Sequence, residues 1–332
     1  MRRLLESDSR PGTAVPMPYA SFFTKRRLIA AAVIVVVLFV VYSAMSWYVV
    51  AEAREAEVLA IEERPDDYGL AFEDVTFHPR GDDSVTLRGW WMPAEDAVGT
   101  VIWVHGLDKN RAVRLPLHAA LVDAGFNVLS FDLRGHGESD KVPVGAGYFE
   151  TDDLRGAIDY AVDQRDVAPG TLALVGRSFG AAIALMVGHA EPAVVAVYAD
   201  SSFSSLSEVL IDEVAARTPF PRWFAGLLRP GIVVAGRIKG IEINDVRPID
   251  AIARYEWPLG MSHCLADDRI PVAQSHALRG EAEGPVWYNL FPRCEHAEAY
   301  SEFPEQYTAI MLDYLQFSFG IPLPDATAAP TP

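Results

Sequence analysis

Apolar residues are spread unevenly along the chain, and the first long apolar run predicts a membrane span. Residues 28–51 are 24 consecutive positions without a charge. At about 1.5 Å rise per residue, a helix of this length crosses a hydrocarbon core of roughly 30 Å. Trp47 and Tyr48 lie near its end, where aromatic side chains favour the membrane interface. A buried core helix is the other interpretation, but such helices rarely run this long without a polar face.

The charges around this run predict its orientation. Lys25, Arg26 and Arg27 stand directly before it, whereas glutamates follow it. This bias places the N-terminus in the cytoplasm and the rest of the chain outside it, at the cell membrane. A cleaved signal peptide is the rival, because residues 51–53 have a small-x-small form. Its apolar region would be about twice the usual 7–15 residues, which favours an uncleaved anchor.

The pattern after the span predicts an α/β domain. Residues 1–27 are expected to form a cytoplasmic tail, 52–66 a stalk of helical composition, 67–320 the folded domain and 321–332 a disordered tail. Eight short apolar or alternating runs, separated by helical stretches, indicate a mostly parallel sheet of about eight strands with helices on both faces. These runs are FEDVTFHP, VTLRGWWMP, TVIWVHG, FNVLSFD, TLALVG, VVAVYAD, PLGMSHC and VWYNLF.

One stretch interrupts the alternation of strands and helices. Residues 201–255 contain no strand pattern but include Phe203, Phe220, Trp223 and Phe224. We interpret the stretch as a small helical cap inserted after the sixth strand. An ordinary helix pair packed on the sheet is the alternative.

Charge excludes one class of partner. The whole chain carries −17 and residues 1–27 carry +4, so the remainder carries −21. A domain this acidic is not expected to bind nucleic acid or anionic head groups through its general surface. The sequence contains no metal-ligand cluster and no nucleotide-binding motif, so neither a metal nor a cofactor is expected.

The candidate chemistry begins at Gly176-Arg177-Ser178-Phe179-Gly180. A G-x-S-x-G pattern alone is weak, but here it follows a buried strand and opens an apolar helix. That setting is the nucleophile elbow, in which a sharp turn lifts a serine hydroxyl above the strand ends. The two glycines let the turn close. Ser178 is therefore the predicted nucleophile.

A serine nucleophile needs a base, and the base needs an orienting acid. Of the downstream histidines, His296 follows the last strand on a loop, whereas His189 and His276 fall within helices. His296 is the predicted base. For the acid, Asp267 is preferred to Asp268 and to Asp200.

Backbone N–H groups are expected to stabilise the oxyanion. One comes from Phe179, directly after the nucleophile, and the other from Leu107, since Gly106 permits the turn that points its N–H inward. His105 is expected to brace this loop by hydrogen bonding.

From about Tyr68 to Phe319 the chain resembles the α/β-hydrolase superfamily, through VHGLDKNR, FDLRGHGES, GRSFG, ADDRIP and EHAEAY in family order. It is most similar to bacterial serine hydrolases of the serine aminopeptidase and monoacylglycerol-lipase-like group. The resemblance implies a triad of Ser178, Asp267 and His296. It also implies that Asp132, Arg134 and His136 form a structural loop outside the active site.

The chain departs from the family pattern in two places. His263-Cys264 stands where the family usually has His-Gly, and Glu295-His296 where it usually has Gly-His. Glu295 either raises the pKa of His296 or points to solvent. Cys264 and Cys294 are the only cysteines, and each lies just past the end of one of the last two predicted strands. These two strands are expected to be neighbours in the sheet. An extracytoplasmic location would sustain a disulfide between them; two buried thiols are the alternative.

The leading hypothesis is a membrane-anchored serine hydrolase, an esterase-like or lipase-like enzyme that cleaves a small ester or other acyl substrate through an acyl-enzyme. An aminopeptidase is the second, and it would need an acidic group to hold the substrate's amino terminus. The third is a catalytically inactive hydrolase fold that serves as a binding module.

Overall fold

The structure is a computed structural model and describes residues 20–321, so the expected N-terminal tail to residue 19 and the tail from residue 322 lie outside the described residues. It divides into two compact units between Met45 and Ser46. The division into tail, span, stalk and domain at the boundaries given above stays a prediction.

The first helix contains the long apolar run. It extends from Ala20 to Glu52 as α1. Its part from Thr24 to Glu52 is long and apolar enough to cross a membrane, and no part of its most apolar window is buried. Length and composition alone are equally those of a signal sequence, so the membrane anchor stays a proposal.

The segment after α1 differs from the expected helical stalk. The helix ends at Glu52, and residues 55–64 have no regular structure. This segment lies on the α/β domain: Asn110 Nδ2 donates to the carbonyls of Leu59 and Ala60, and Asp108 Oδ1 accepts from the Glu57 N–H at 2.7 Å. Helical composition was outweighed because these backbone groups find partners on the domain surface.

Eight strands form one mixed sheet. In chain order they are β1 (Glu73–Phe77), β2 (Leu87–Met92), β3 (Gly99–Val104), β4 (Phe126–Asp132), β5 (Leu172–Arg177), β6 (Val194–Asp200), β7 (Leu259–Cys264) and β8 (Val286–Phe291). Their spatial order is β1-β2-β4-β3-β5-β6-β7-β8. The pairs β1–β2 and β2–β4 are antiparallel and the others are parallel. The eight predicted runs and the mostly parallel sheet are confirmed.

The central strands are buried because the sheet is covered on both sides. All six residues of β3 are buried. Successive side chains of a strand point to opposite faces, so a strand buried at every position has packing partners on both faces. The remaining helices are α2 (Leu115–Asp123), α3 (Glu150–Arg165), α4 (Phe179–Gly188), α5 (Leu206–Arg217), α6 (Arg222–Ala225), α7 (Arg229–Ile238), α8 (Pro248–Ile252), α9 (Val272–Glu281), α10 (Ala299–Glu302) and α11 (Pro304–Ser318).

The stretch between β6 and β7 is helical, as its sequence predicts. It contains α5 to α8 and short 3-10 turns, including Gly226–Leu228, and no strand is described within it. Its designation as a cap over residues 201–255 stays a prediction. Because the parallel strands end at one edge of the sheet, the loops after β3, β5, β7 and β8 lie at that edge, where a site is expected.

Candidate active site

Ser178 occupies a strained turn between β5 and α4. Its φ of 53° and ψ of −114° lie outside the regions that non-glycine residues ordinarily adopt. A Cβ at Gly176 would lie 2.3 Å from the Gly180 carbonyl oxygen, and one at Gly180 would lie 2.2 Å from that of Val104. Glycine is therefore required at both positions, since strand, turn and helix approach too closely for any side chain. Strain of this kind costs about 1–3 kcal/mol and is found at functional sites.

A continuous chain of hydrogen bonds joins Ser178, His296 and Asp267. The Ser178 hydroxyl lies 2.6 Å from His296 Nε2, and His296 Nδ1 lies 2.8 Å from Asp267 Oδ2. Asp267 lies after β7 and His296 after β8, so two adjacent loops bring the side chains to the elbow. The carboxylate can only accept, so Nδ1 carries the proton and Nε2 presents its lone pair to the serine. This geometry suits transfer of the serine proton to the imidazole.

Asp267 is held as a carboxylate. Burial would raise its pKa, but hydrogen bonds from His263 and His296 and from the Ile270 N–H outweigh this and lower the pKa to about 2. The Ile270 N–H lies 2.7 Å and the Arg269 N–H 3.1 Å from its second oxygen. Those bonds fix the carboxylate plane, so Oδ2 stays directed at His296.

The two alternative acids have other surroundings. The Asp268 side chain is exposed. Asp200 is buried and accepts from Arg114 Nη1 at 3.0 Å and from the Tyr307 hydroxyl at 3.1 Å. Burial would raise the pKa of Asp200, but the positive charges of Arg114 and Arg177 lower it overall. The Asp200 carbonyl accepts the Ser178 N–H at 2.6 Å, so this residue supports the elbow through its backbone.

Two arginines that the sequence reasoning did not single out position the histidine loop. Arg114 Nη2 and Arg177 Nε donate to the Ala297 carbonyl at 2.5 and 3.2 Å. Ala297 follows His296 directly and has a φ of 54°. Both arginines are largely removed from solvent, and burial, with the charge of Arg114, lowers the pKa of Arg177 to about 10. Arg177 stands within the five-residue motif, and this was the one sequence signal for its role.

The loop after β3 lies against the elbow. A Cβ at Gly106 would lie 3.4 Å from the Ser178 Cβ, so this loop contacts Ser178. Among residues 20–321 no acceptor binds the backbone N–H of Leu107 or of Phe179, the two predicted oxyanion donors. Their assignment as oxyanion donors stays a prediction.

His105 is buried and joins this loop to the next one. Its Nδ1 lies 2.8 Å from the Gly106 carbonyl, and its Nε2 accepts from the Leu133 N–H at 3.0 Å. Burial, with the neighbouring His136, lowers the pKa of His105 well below its ordinary value. The ring is therefore neutral, donates through Nδ1 and occupies the bracing position expected from the sequence.

The loop after β4 is stabilised by buried ion pairs. Asp132 accepts from Arg111 Nη1 at 2.5 Å and from the Arg111 N–H at 2.7 Å. Arg134 pairs with Asp153 at 2.6 Å, and the His136 ring lies against that of His105. These contacts are internal to the loop and its neighbours, in keeping with the structural role that the family resemblance implies.

Cys264 and Cys294 form a disulfide with their Cα atoms 5.2 Å apart. Both are buried, and β7 and β8 pair in parallel beside them. The bond joins the start of the loop that carries Asp267 to the start of the loop that carries His296. Glu295, one residue beyond Cys294, is exposed, so of its two possible roles the structure favours the one in which it points to solvent.

Comparison with known proteins identifies the family. Residues 101–324, about two thirds of the chain, match the model of the alpha/beta hydrolase family. The chain belongs to this family. The matched region contains the elbow, both loops of the hydrogen-bonded chain and the helical stretch between β6 and β7.

Relatives and solved structures agree with this assignment. The chain is similar to protein YfhR of Escherichia coli, with 31% identity over 264 residues that cover 76% of this hydrolase and 84% of the relative. It is 27% identical to protein YqkD of Bacillus subtilis, over 69% of this chain and 75% of the relative. An esterase of Pyrococcus furiosus superposes with a TM-score of 0.64 at 20% identity, over 79% of this chain and 99% of its own. That likeness shows a shared fold.

Proposed function

We propose that this hydrolase is a membrane-anchored serine hydrolase that cleaves ester or other acyl substrates through a covalent acyl-enzyme. The observation that carries the proposal is the hydrogen-bonded chain from Ser178 through His296 to Asp267, with distances of 2.6 and 2.8 Å. The three residue types occur in the chain order and at the loop positions that this chemistry uses in the fold. The family membership supports hydrolysis as the reaction class.

In the proposed reaction the Ser178 oxygen attacks the substrate carbonyl carbon while His296 Nε2 takes the serine proton. The negative charge that develops on the carbonyl oxygen is bound by the N–H groups of Phe179 and Leu107. Asp267 stabilises the imidazolium, which its low pKa permits. His296 then gives the proton to the leaving alcohol or amine. Water, activated by the same histidine, releases the acyl group from Ser178.

We place this reaction outside the cytoplasm. The apolar helix from Thr24 to Glu52 supports an anchor, and Lys25, Arg26 and Arg27 before the apolar run support a cytoplasmic N-terminus. The disulfide between Cys264 and Cys294 independently supports an oxidising compartment.

A fluorophosphonate probe tests the nucleophile. The full-length protein should be labelled by the probe. Ser178→Ala should abolish labelling and should lower turnover by several orders of magnitude. Ser301→Ala, a change at an exposed serine, is the control and should behave as wild type. If Ser178→Ala retained wild-type turnover, Ser178 would not be the nucleophile. If the wild type neither reacted with the probe nor hydrolysed any substrate, an inactive binding module would replace the enzyme proposal.

A substrate panel tests the acyl specificity. p-Nitrophenyl esters of increasing chain length should be hydrolysed faster than aminoacyl p-nitroanilides. The reverse order would favour an aminopeptidase.

Protease treatment of intact and of opened spheroplasts tests the orientation, since an extracytoplasmic domain should be cleaved in both.

A further inference from the structure

The segment from Arg222 to Ile238 exposes an apolar stripe on one side. Trp223 and Ile238 are 72% and 68% exposed, and Leu227 and Val234 are also largely exposed. At about 100° per residue, these four positions fall within roughly 60° of one another around a helix axis. The segment comprises α6, the turn Gly226–Leu228 and α7, so the winding is nearly continuous.

The opposite side of this segment provides its packing. Ala225, Leu228, Ile232 and Ala235 are all buried. Large apolar side chains that are exposed together on one side of a segment mark an interaction site.

The segment lies beside the end of α1. Lys239, directly after α7, places its Nζ 4.1 Å from the centroid of the Trp47 ring. Arg217, at the end of α5, lies 3.7 Å from Glu52. Trp47 and Tyr48 mark the predicted membrane interface, so Arg217 and Lys239, which flank the segment in the chain, lie beside the part of α1 where the chain is predicted to leave the bilayer.

The charge of the segment differs from that of the domain around it. Residues 28–332 carry a net charge of −21. Residues 218–240, by contrast, contain three arginines, one lysine and no acidic residue. Arg222 and Arg229 pair with Glu208 of α5. The two arginines of the segment thus neutralise the carboxylate of Glu208. This removes the repulsion from anionic lipid that the rest of the acidic surface would experience.

We infer that the stripe formed by Trp223, Leu227, Val234 and Ile238 is a membrane-docking face, which lies in the head-group region of the bilayer that α1 crosses. The combination of an apolar face with Trp and Leu and a flank of Arg and Lys is that of interfacial helices. The inference rests on the proposed function for the anchor. It names the substrate class as an acyl lipid or another ester that resides in the membrane.

Contacts connect the docking face with the catalytic loops. Asp212 of α5 pairs with Arg222 at 2.5 Å and accepts from Gln274 of α9 at 2.8 Å. Glu213 pairs with Arg217 and with Arg269, which lies two residues after Asp267. Helix α5 thus touches both the docking segment and the loop that carries the predicted acid. Docking therefore holds the acid-loop side of the site near the bilayer.

Fluorescent labelling of the full chain tests the docking. Val234→Cys and the control Val98→Cys place a thiol-reactive environment-sensitive dye at exposed valines, 56% and 45% exposed, while the native cysteines are bonded to each other. In nanodiscs that hold one protein copy and contain phosphatidylglycerol, the dye at position 234 should shift to the blue and be quenched by doxyl-labelled lipid. The dye at 98, before β3, should do neither. Equal behaviour of the two positions would overturn the inference, and a blue shift without lipid quenching would indicate protein contact instead.

A kinetic comparison tests the substrate class. Trp223→Ser combined with Ile238→Ser should lower turnover of a long-chain ester embedded in vesicles by about tenfold, because apolar contact with the bilayer is lost. Turnover of soluble p-nitrophenyl acetate should be unchanged, and Val98→Ser should change neither. Equal loss on both substrates, or loss on neither, would refute the lipid substrate. The dye measurement needs no activity, so it separates a failure of docking from a failure of the proposed hydrolase.

Discussion

Reduction of the bond between Cys264 and Cys294 should destabilise the hydrolase by a calculable amount. The bond closes a loop with a sequence separation of 30. In the chain-entropy treatment this removes about 12 cal/mol/K from the unfolded ensemble, or about 3.6 kcal/mol at 25 °C. With an unfolding entropy of about 2.1 cal/mol/K per residue over residues 46–321, this corresponds to a fall in Tm of about 6 °C.

Thermal melting of the full-length protein in a mild detergent, followed by tryptophan fluorescence, measures this change. Dithiothreitol should lower the Tm of the wild type by about 6 °C and leave the variant with Cys264→Ala and Cys294→Ala unaffected, because it has no bond to lose. Reduction should also lower turnover at temperatures below the Tm, since the bond joins the loops of Asp267 and His296. A wild-type Tm that did not move on complete reduction, verified by thiol titration, would refute the reasoning.

Three further predictions concern the acid and the elbow. Asp267→Asn should lower kcat by about 10⁴-fold, because the imidazole loses its orienting carboxylate, whereas Asp268→Asn at the exposed neighbour should retain activity in the same ester assay. The pKa of Asp267 is lowered to about 2 from an unfolded value of about 3.9, so its contribution of about 2–3 kcal/mol is present above about pH 4 and is lost as the pH falls through about 2. Urea titrations at pH 5, 3 and 2 should show this dependence in the wild type and a flatter one in Asp267→Asn. Gly180→Ala should cost more than about 3 kcal/mol, because its Cβ would meet the Val104 carbonyl oxygen at 2.2 Å, whereas Gly226→Ala, which meets nothing within 4 Å, should fold normally; soluble yield and Tm distinguish them.

The sheet could be predicted because its strands are buried on both faces. A run such as TLALVG carries its whole signal in six consecutive residues, and glycine marks its end. The elbow could be predicted for a related reason. Its glycines are required by local backbone contacts, and these appear in the sequence as a fixed spacing.

Other features depend on contacts between distant parts of the chain. Arg114 reaches Ala297 across 183 positions, and no local pattern records such a pairing. The chain after Glu52 has helical composition, but its backbone finds acceptors and donors on the domain instead. Leu107 and Phe179 remain predictions because hydrogen-bond donors to an oxyanion are defined only by the oxyanion.

The path of the chain after Glu52 also determines where the hydrolase can be cut. Glu57 and Leu59 are hydrogen-bonded to Asp108 and Asn110, which follow Leu107 in the loop that contacts Ser178. A version that begins at Tyr68 would keep every strand, but the loop after β3 would lose its hydrogen bonds to residues 57–60. Exchange of the anchor for another one should therefore preserve the sequence from Arg54 onward. A change in the length of this segment would alter the loop after β3 as well as the distance between the domain and the membrane.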